Sequence, residues 1–283
     1  LPLLRDEDVI QAQPDQTSIT ERYVEESVRF IRDNKDTPFF LYFAHMHVHL
    51  PHYPPQRFMP DSQNGVYGAA VACIDWATDV LLHELKDLGL DDNTLVIFTS
   101  DNGSRARDEG GSNAPLRATK GTTWEGGQRV PCIMRWPGKI PAGTTLREPA
   151  STMDVLPTAF TLAGVPIPTD RSIDGRDISQ LLFTGTRATQ RDPLFFYGSK
   201  ELHAVRIGDW KLHIKTSSQT KVKHFQGKLP LLFNLETDPS EEWDLAQAHP
   251  EIVAELQAAI DAHFASLQTE TSYWGDYYMK TTR

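Results

Sequence analysis

The chain is expected to fold as an α/β protein. A mixed, mostly parallel sheet with flanking helices comes first, and a small antiparallel sheet with a packing helix follows. Three observations carry this. Residues 39–44 and 94–99 are short apolar runs of strand type. Between them Ile74, Ala77, Leu81, Leu85 and Leu88 recur at helical spacing. Strand, helix and strand in that order make a crossover unit, and its natural product is a parallel pair. From about Asp192 the pattern turns to short strands between turns, closed by one amphipathic helix.

Residues 1–17 are polar and predict irregular chain. Ser18-Ile19-Thr20-Glu21 has the spacing of a capping box. Tyr23, Val24, Ser27, Val28 and Ile31 then trace a narrow apolar face, so a helix to about Asn34 is expected. Residues 39–44 read as a buried strand and 45–64 as a loop rich in Pro and His. A helix over 65–88 stops at Gly89. The strand at 94–99 leads into a Gly-rich loop over 103–128, too long for a mere connection. Residues 130–135 read as another strand, and 154–163 as a short helix ended by Gly164, with Asp154 as its N-cap. Strands follow at 194–197, 204–207, 210–214 and 231–235, with Gly208-Asp209 as a hairpin turn. Ile252, Leu256, Ile260 and Phe264, four apart, mark a helix over 251–267. The expected division is an α/β part over 1–190 and a small α+β part over 191–283.

With 39% hydrophobic and 10% aromatic residues among 283, the composition is that of a globular protein of one large or two unequal domains. A net charge of -10 argues against a nucleic-acid partner, and an anionic ligand would need local positive charge. No apolar run reads as a membrane span, and no signal-type segment opens the chain, so no membrane partner is expected. Cys73 and Cys132 are expected as buried free thiols.

The chemistry concentrates at Thr99-Ser100-Asp101-Asn102-Gly103 and at Lys120-Gly121-Thr122-Thr123-Trp124-Glu125-Gly126-Gly127. A carboxylate beside an amide oxygen at a strand end is a pair of hard donors for calcium or magnesium, though Asn-Gly is also a common turn. Lys120 lies in a loop whose glycines allow close backbone approach to an anion. Glu125 and Arg129 flank it and are expected to pair with each other and fix the loop. Asn113 and Arg117 are candidates for substrate contact, and Trp124 is compatible with a sugar face. His45, His47 and His49 alternate and would share one face of an extended segment. That pattern fits a His-x-His zinc site or satisfied polar groups at a strand end. Asp75 reads as an internal pair or cap, Asp174-Gly175-Arg176-Asp177 as a turn, and His203 and Trp210 as packing or surface groups.

These segments resemble, in order, the C-terminal part of a sulfatase of the arylsulfatase and N-acetylgalactosamine-6-sulfatase type, in the alkaline-phosphatase-like superfamily. The resemblance rests on Pro38-Phe39-Phe40-Leu41-Tyr42-Phe43 with His45 to Pro51, then Thr94 to Gly103, Leu116 to Pro131, and Arg135-Trp136-Pro137-Gly138. It continues through Met153-Asp154-Val155-Leu156-Pro157-Thr158, Asp174 to Asp177, Arg206 to Leu212, and Leu232 to Pro239. It implies sulfate-ester hydrolysis with Asp101 and Asn102 on Ca2+ (Mg2+ as the alternative). Lys120 would bind the sulfate and stabilise the departing oxygen, and His49 would contact a sulfate oxygen or protonate the leaving alcohol. His47, Asn113 and Arg117 would contact substrate. Asn rather than His at 102 favours calcium, hence sulfatase over phosphatase.

In the family a Cys or Ser in a C-x-P/A-x-R signature becomes formylglycine, the nucleophile. Neither Cys73 nor Cys132 lies in that signature, and Leu1 opens the chain. The resemblance therefore implies a C-terminal portion with part of the site, expected to hydrolyse sulfate esters poorly or not at all by itself. Partners would be a sulfated small molecule or glycan, and an N-terminal sulfatase fragment or a second copy. A periplasmic or secreted location goes with the family. The alternatives are a phosphodiester or phosphonate hydrolase, a non-catalytic cation- or glycan-binding homologue, and a carboxyl-ester hydrolase. The last would have to work without the Gly-x-Ser-x-Gly elbow, which is absent.

Overall fold

The computed structural model describes residues 2–186, 193–198, 200–216 and 228–267. The expected boundary at 190–191 lies outside them. The contacts divide the chain into two units. The first runs as far as Phe98 and adds Ala106–Ser112 and Cys132–Thr144, while the second holds Thr99–Arg105, Asn113–Pro131 and the chain from Thr145 onward.

The first unit opens on an antiparallel hairpin, β1 (Leu3–Arg5) and β2 (Asp8–Gln11), where irregular chain was expected. Every β2 residue is exposed, so no apolar alternation marks the pair in the sequence. Helix α1 (Ile19–Asp33) buries Ile19, Val24, Ser27 and Ile31, the predicted face. Its start does not use the expected capping box. Ser18 Oγ donates to Asp15 O at 2.8 Å, and the Asp15 carboxylate takes the Thr17 amide at 3.0 Å.

Helix α2 (Gly65–Asp87) packs on α1 and buries the small side chains of Ala69, Ala70, Cys73 and Ala77 together with Leu85. Arg32 and Glu84 tie the two helices with paired bonds of 2.6 and 2.8 Å. By length and composition α2 could cross a membrane, contrary to the reading of the sequence. Its middle, however, carries Asp75 and Asp79, both exposed, which hydrocarbon would have to accommodate. Asp75 is thus a solvated group and not the expected internal pair.

Residues 39–44 are not a strand. They alternate between half-buried and exposed, with Phe40 74% and Tyr42 80% exposed. Phe39 and Phe43 pack edge-on against Phe30 and Tyr23 of α1. A strand needs a hydrogen-bonded neighbour, and among the described residues this segment has none. The crossover unit is therefore not completed there. β3 (Val96–Thr99) instead pairs with β4 (Cys132–Arg135) in a two-stranded sheet. Arg135 grips Asp91, and Trp136 Nε1 donates to Asp92 O at 2.8 Å. Both cysteines are free, but only Cys73 is buried; Cys132 is exposed on β4, as is its neighbour Ile133.

The second unit is built on an antiparallel sheet of β5 (Leu194–Gly198), β6 (Glu201–Ile207), β7 (Trp210–His213) and β8 (Leu231–Asn234), in that order. Ile207 faces Trp210 across the predicted turn, where Gly208 has φ +56°. Alternation sends Val205, Leu212 and Leu232 to one face, where Leu256 and Ile260 of α6 (Pro250–Leu267) complete a core. The opposite face carries Lys211, His213, Leu231 and Phe233, and Trp124 packs there. Trp124 leads into the short helix α3 (Glu125–Gln128).

Helix α4 (Val155–Leu162) is preceded by one tight turn. Ser151, not Asp154, caps that turn; Asp154 returns the bond from three residues on and also takes the Arg176 amide at 2.8 Å. The short helix α5 (Ser179–Thr184) was not foreseen. Its six residues are too few to show a period.

Candidate active site

Asp101 and Asn102 follow the end of β3, where the chain bends sharply. Asn102 Nδ2 donates to Asp101 Oδ2 at 2.5 Å, so the two side chains lie together. This turn is attached to the Lys120 loop by backbone bonds. Gly103 N donates to Gly127 O at 3.1 Å, and Lys120 N donates to Ser104 O at 3.0 Å. A side chain at 103 would meet Gly126 O at 1.9 Å, so only glycine allows the loops to close on each other. Gly126 and Gly127 are similarly enclosed by carbonyls of Arg117, Ala118, Thr119 and Thr122. These glycines serve the loop's own backbone packing and not the approach of a ligand, which is how the sequence had been read.

Asn113 braces the same two segments. Its Oδ1 accepts from Ser104 N at 2.8 Å, while Nδ2 donates to Ser104 O at 2.8 Å and Ala118 O at 3.1 Å. Both ends of the amide are thus engaged in holding the loop. Arg117 is likewise committed. Its Nε donates to the carbonyls of Ser240 and Glu241 at 3.1 and 3.0 Å, and its guanidinium lies over the Trp124 ring. Trp124 is 1% exposed and stacked on His213 at 4.2 Å, so it is not available as a sugar platform. Lys120 is half-buried, and among the described residues its ammonium has no hydrogen-bond or ion-pair partner.

The expected Glu125–Arg129 pair is not formed. Arg129 is exposed, while Glu125 is 2% exposed and receives Lys211 Nζ on Oε1 at 2.8 Å. Lys211 also lies 3.1 Å from Glu241 Oε1, which takes His213 Nε2 at 2.8 Å. Glu241 Oε2 accepts the Glu125 amide at 2.7 Å. Burial alone would lower the Lys211 pKa, but Glu125 and Glu241 outweigh it and raise it. Burial would raise Glu241, yet Lys211 and then His213 hold its carboxyl down at about 2. Burial keeps the His213 pKa low, so the ring is neutral and donates to Glu241 from Nε2. The sequence reading passed over these groups. The signal was a lysine and a histidine on alternate positions of a strand whose other positions are apolar, since a lysine inside a fold requires carboxylates.

His45, His47 and His49 belong to the first unit. They do not line one face, because a turn closes with His49 N on Met46 O at 3.2 Å. His45 Nδ1 accepts the His47 amide at 3.0 Å, and the two rings lie 5.4 Å apart. Burial, then the nearness of His47, pushes the His45 pKa down to about 4. His47 is 7% exposed, and burial followed by His52 lowers its pKa. Among the described residues neither of its ring nitrogens makes a hydrogen bond of ordinary geometry, and the Tyr53 backbone lies near enough only to oppose that lowering. His49 is exposed, with Nδ1 2.7 Å from Leu50 O. A carbonyl only accepts, so Nδ1 carries the proton and Nε2 is the nitrogen that can exchange one. No cluster of three or more metal-type side chains forms among the described residues, and no zinc set accompanies the histidines.

Comparison with known proteins gives two family matches. Residues 5–165 match the sulfatase model, and residues 189–281 match the C-terminal region of aryl-sulfatase. The chain is 38% identical to steryl-sulfatase of Rattus norvegicus, over 94% of this chain and 52% of that protein. It is 35% identical to N-acetylgalactosamine-6-sulfatase of Homo sapiens, over 91% and 54%. Among solved structures, the PsFucS1 sulfatase from Pseudoalteromonas sp. superposes with a TM-score of 0.80 at 29% identity, covering 90% of this chain and 55% of that one. Ps i-CgsB in complex with k-i-k-neocarrahexaose gives 0.79 at 29% identity, over 93% and 57%. The chain spans about half the length of the curated relatives it matches.

Proposed function

Because the chain belongs to the sulfatase family, we propose that it supplies the cation- and sulfate-contacting part of a site that hydrolyses sulfate esters. The observation that carries this reading is the joining of the Asp101–Asn102 turn to the Lys120 loop by the Gly103–Gly127 and Lys120–Ser104 bonds. A cation-type oxygen pair and a lysine whose ammonium has no partner among the described residues thus share one backbone framework.

Asp101 and Asn102 fit calcium or magnesium in kind. Both present hard oxygens, and the carboxylate already draws a donor to itself. They are two ligands of about six to eight that calcium takes, so they hold part of its sphere. When bound, the ion supplies a positive field at the sulfate. Lys120 adds a second positive charge, which a chain of net charge -10 needs locally. Its ammonium neutralises charge that builds on the ester oxygen as the bond to sulfur breaks. His49, in the first unit, is assigned on the family resemblance alone to give a leaving alcohol its proton, with Nε2 as the nitrogen open to do so. Neither cysteine lies in the formylglycine signature, so the residues of this chain are given no nucleophilic step.

The relatives are a steryl-sulfatase and an N-acetylgalactosamine-6-sulfatase, and the substrate class proposed here is correspondingly a sulfated small molecule or glycan. The test is Lys120→Ala in the full native product. Its kcat/KM for an aryl sulfate should fall by about 100-fold or more, while Ca2+ affinity stays within about twofold. Undiminished turnover would remove Lys120 from the site.

A further inference from the structure

We propose that Lys211 and Glu241, far along the chain from the candidate site, are its positioning residues: their buried ionic network with Glu125 and His213 sets the Lys120 loop and the Asp101–Asn102 turn in place. This inference rests on the sulfatase reading only for its kinetic consequence.

The path is continuous within the second unit. Lys211 and His213 stand on β7, a strand of the antiparallel sheet. Lys211 Nζ bridges Glu125 at 2.8 Å and Glu241 at 3.1 Å, and His213 holds the same Glu241 oxygen at 2.8 Å. The other Glu241 oxygen takes the amide that opens α3. From α3, Gly126 N reaches Arg117 O at 2.7 Å, and Gly127 O receives the Gly103 amide. Gly103 adjoins Asn102, and the Ser104 carbonyl receives the Lys120 amide. Arg206 adds a charge 3.9 Å from Glu125, so two carboxylates face two cations beside one neutral imidazole.

Packing alone does not call for these groups. Lys211, His213 and Glu241 are each 0% exposed and sit beside the Trp124, Leu231, Phe233 and Leu235 cluster. Apolar residues of similar volume would fill that space at least as well, since desolvation offsets most of what a buried ion pair gains. Charge-assisted bonds add direction. They allow one placement of Glu125 against the sheet, and through it one placement of the two loops.

The experiment uses the full native product with Lys211→Met, Lys211→Arg, Glu241→Gln and, as a control, Leu256→Ala. The last deletes core volume on the α6 side of the sheet, away from the network. Amide hydrogen exchange at Gly103, Lys120 and Gly126 should quicken by about tenfold or more in Lys211→Met through local opening, seen as exchange that does not respond to sub-denaturing urea. It should not quicken in Leu256→Ala. On an aryl sulfate, kcat of Lys211→Met should fall by about tenfold or more per folded molecule, Lys211→Arg should recover to within about threefold, and Leu256→Ala should hold within about twofold. Should Lys211→Met not fold, Glu241→Gln, which keeps the shape, carries the same expectations. Unchanged exchange at the three amides overturns the proposal, as does an equal kcat loss in Leu256→Ala. If the wild type does not turn over aryl sulfate, the sulfatase reading fails, and the exchange pattern still decides the positioning role.

Discussion

Replacing Lys211 by methionine removes one cation from a fully buried group and leaves two carboxylates behind. Glu241 keeps His213 and the Glu125 amide, and Glu125 keeps only the more distant Arg206. Breaking a buried pair in this way costs about 3–5 kcal/mol. The Glu241 carboxyl carries the pH dependence: its descent from 4.5 to about 2 is equivalent to about 3 kcal/mol of stability at neutral pH, shared among Lys211, His213 and the Glu125 amide against the cost of burial. Lys211 is the largest of the influences lowering it, ahead of His213. In a domain of about 150–250 residues this loss lowers Tm by about 6–20 °C. The sign of the pH dependence follows. A carboxyl whose folded pKa lies below its unfolded value stabilises above the unfolded value, and that contribution is lost as pH falls from about 4.5 towards 2. The gap between wild type and Lys211→Met should thus be widest near pH 7 and narrow below about pH 4.5. Thermal and urea melts of both proteins at pH 7 and pH 4 measure it. A gap under about 1 kcal/mol at pH 7, or one that widens in acid, would refute the reasoning.

Three further outcomes follow from the same geometry. His49→Ala in the native product should lower kcat on an aryl sulfate by about 100-fold or more, and least for esters with acidic leaving alcohols, read from a leaving-group series. Asp101→Ala should weaken Ca2+ binding by about tenfold or more in calorimetry, since it removes the one charged ligand of the pair. Gly103→Ala should unfold earlier than wild type in a thermal melt, because its Cβ would fall 1.9 Å from Gly126 O and part the two loops.

Helical features were legible where a period was long enough to read. The α1 face at Val24, Ser27 and Ile31 lies where the sequence put it, and so do Leu256 and Ile260 of α6, but Phe264 is exposed, and α2 buries Ala69, Ala70, Cys73 and Glu84 beside Ala77 and Leu85 while Ile74, Leu81 and Leu88 are only half-buried. The Gly208-Asp209 hairpin was legible because a two-residue turn with positive φ demands such residues. The strand expected over 39–44 failed for a different reason. Apolar content marks a segment suited to a sheet, but a strand exists only beside a partner, and pairing is not a local property. At the candidate site, Asp101, Asn102 and Lys120 were singled out from their neighbours in sequence. Glu241 and Lys211 were not, because they meet Glu125 across 116 and 86 positions and nothing nearby in the chain announces either contact. Asn113 and Arg117 were taken for ligand groups because a polar side chain in a Gly-rich loop looks available. The structure commits Asn113's amide and Arg117 Nε to backbone carbonyls and amides.

The most direct test is the rate of sulfate release from an aryl sulfate by the full native product with Ca2+, set beside phosphate release from the matching aryl phosphate. Sulfate release should dominate and should vanish on chelation of the cation. Faster phosphate release, or sulfate release untouched by chelation, would contradict the assignment of Asp101, Asn102 and Lys120 to a cation-assisted sulfate site.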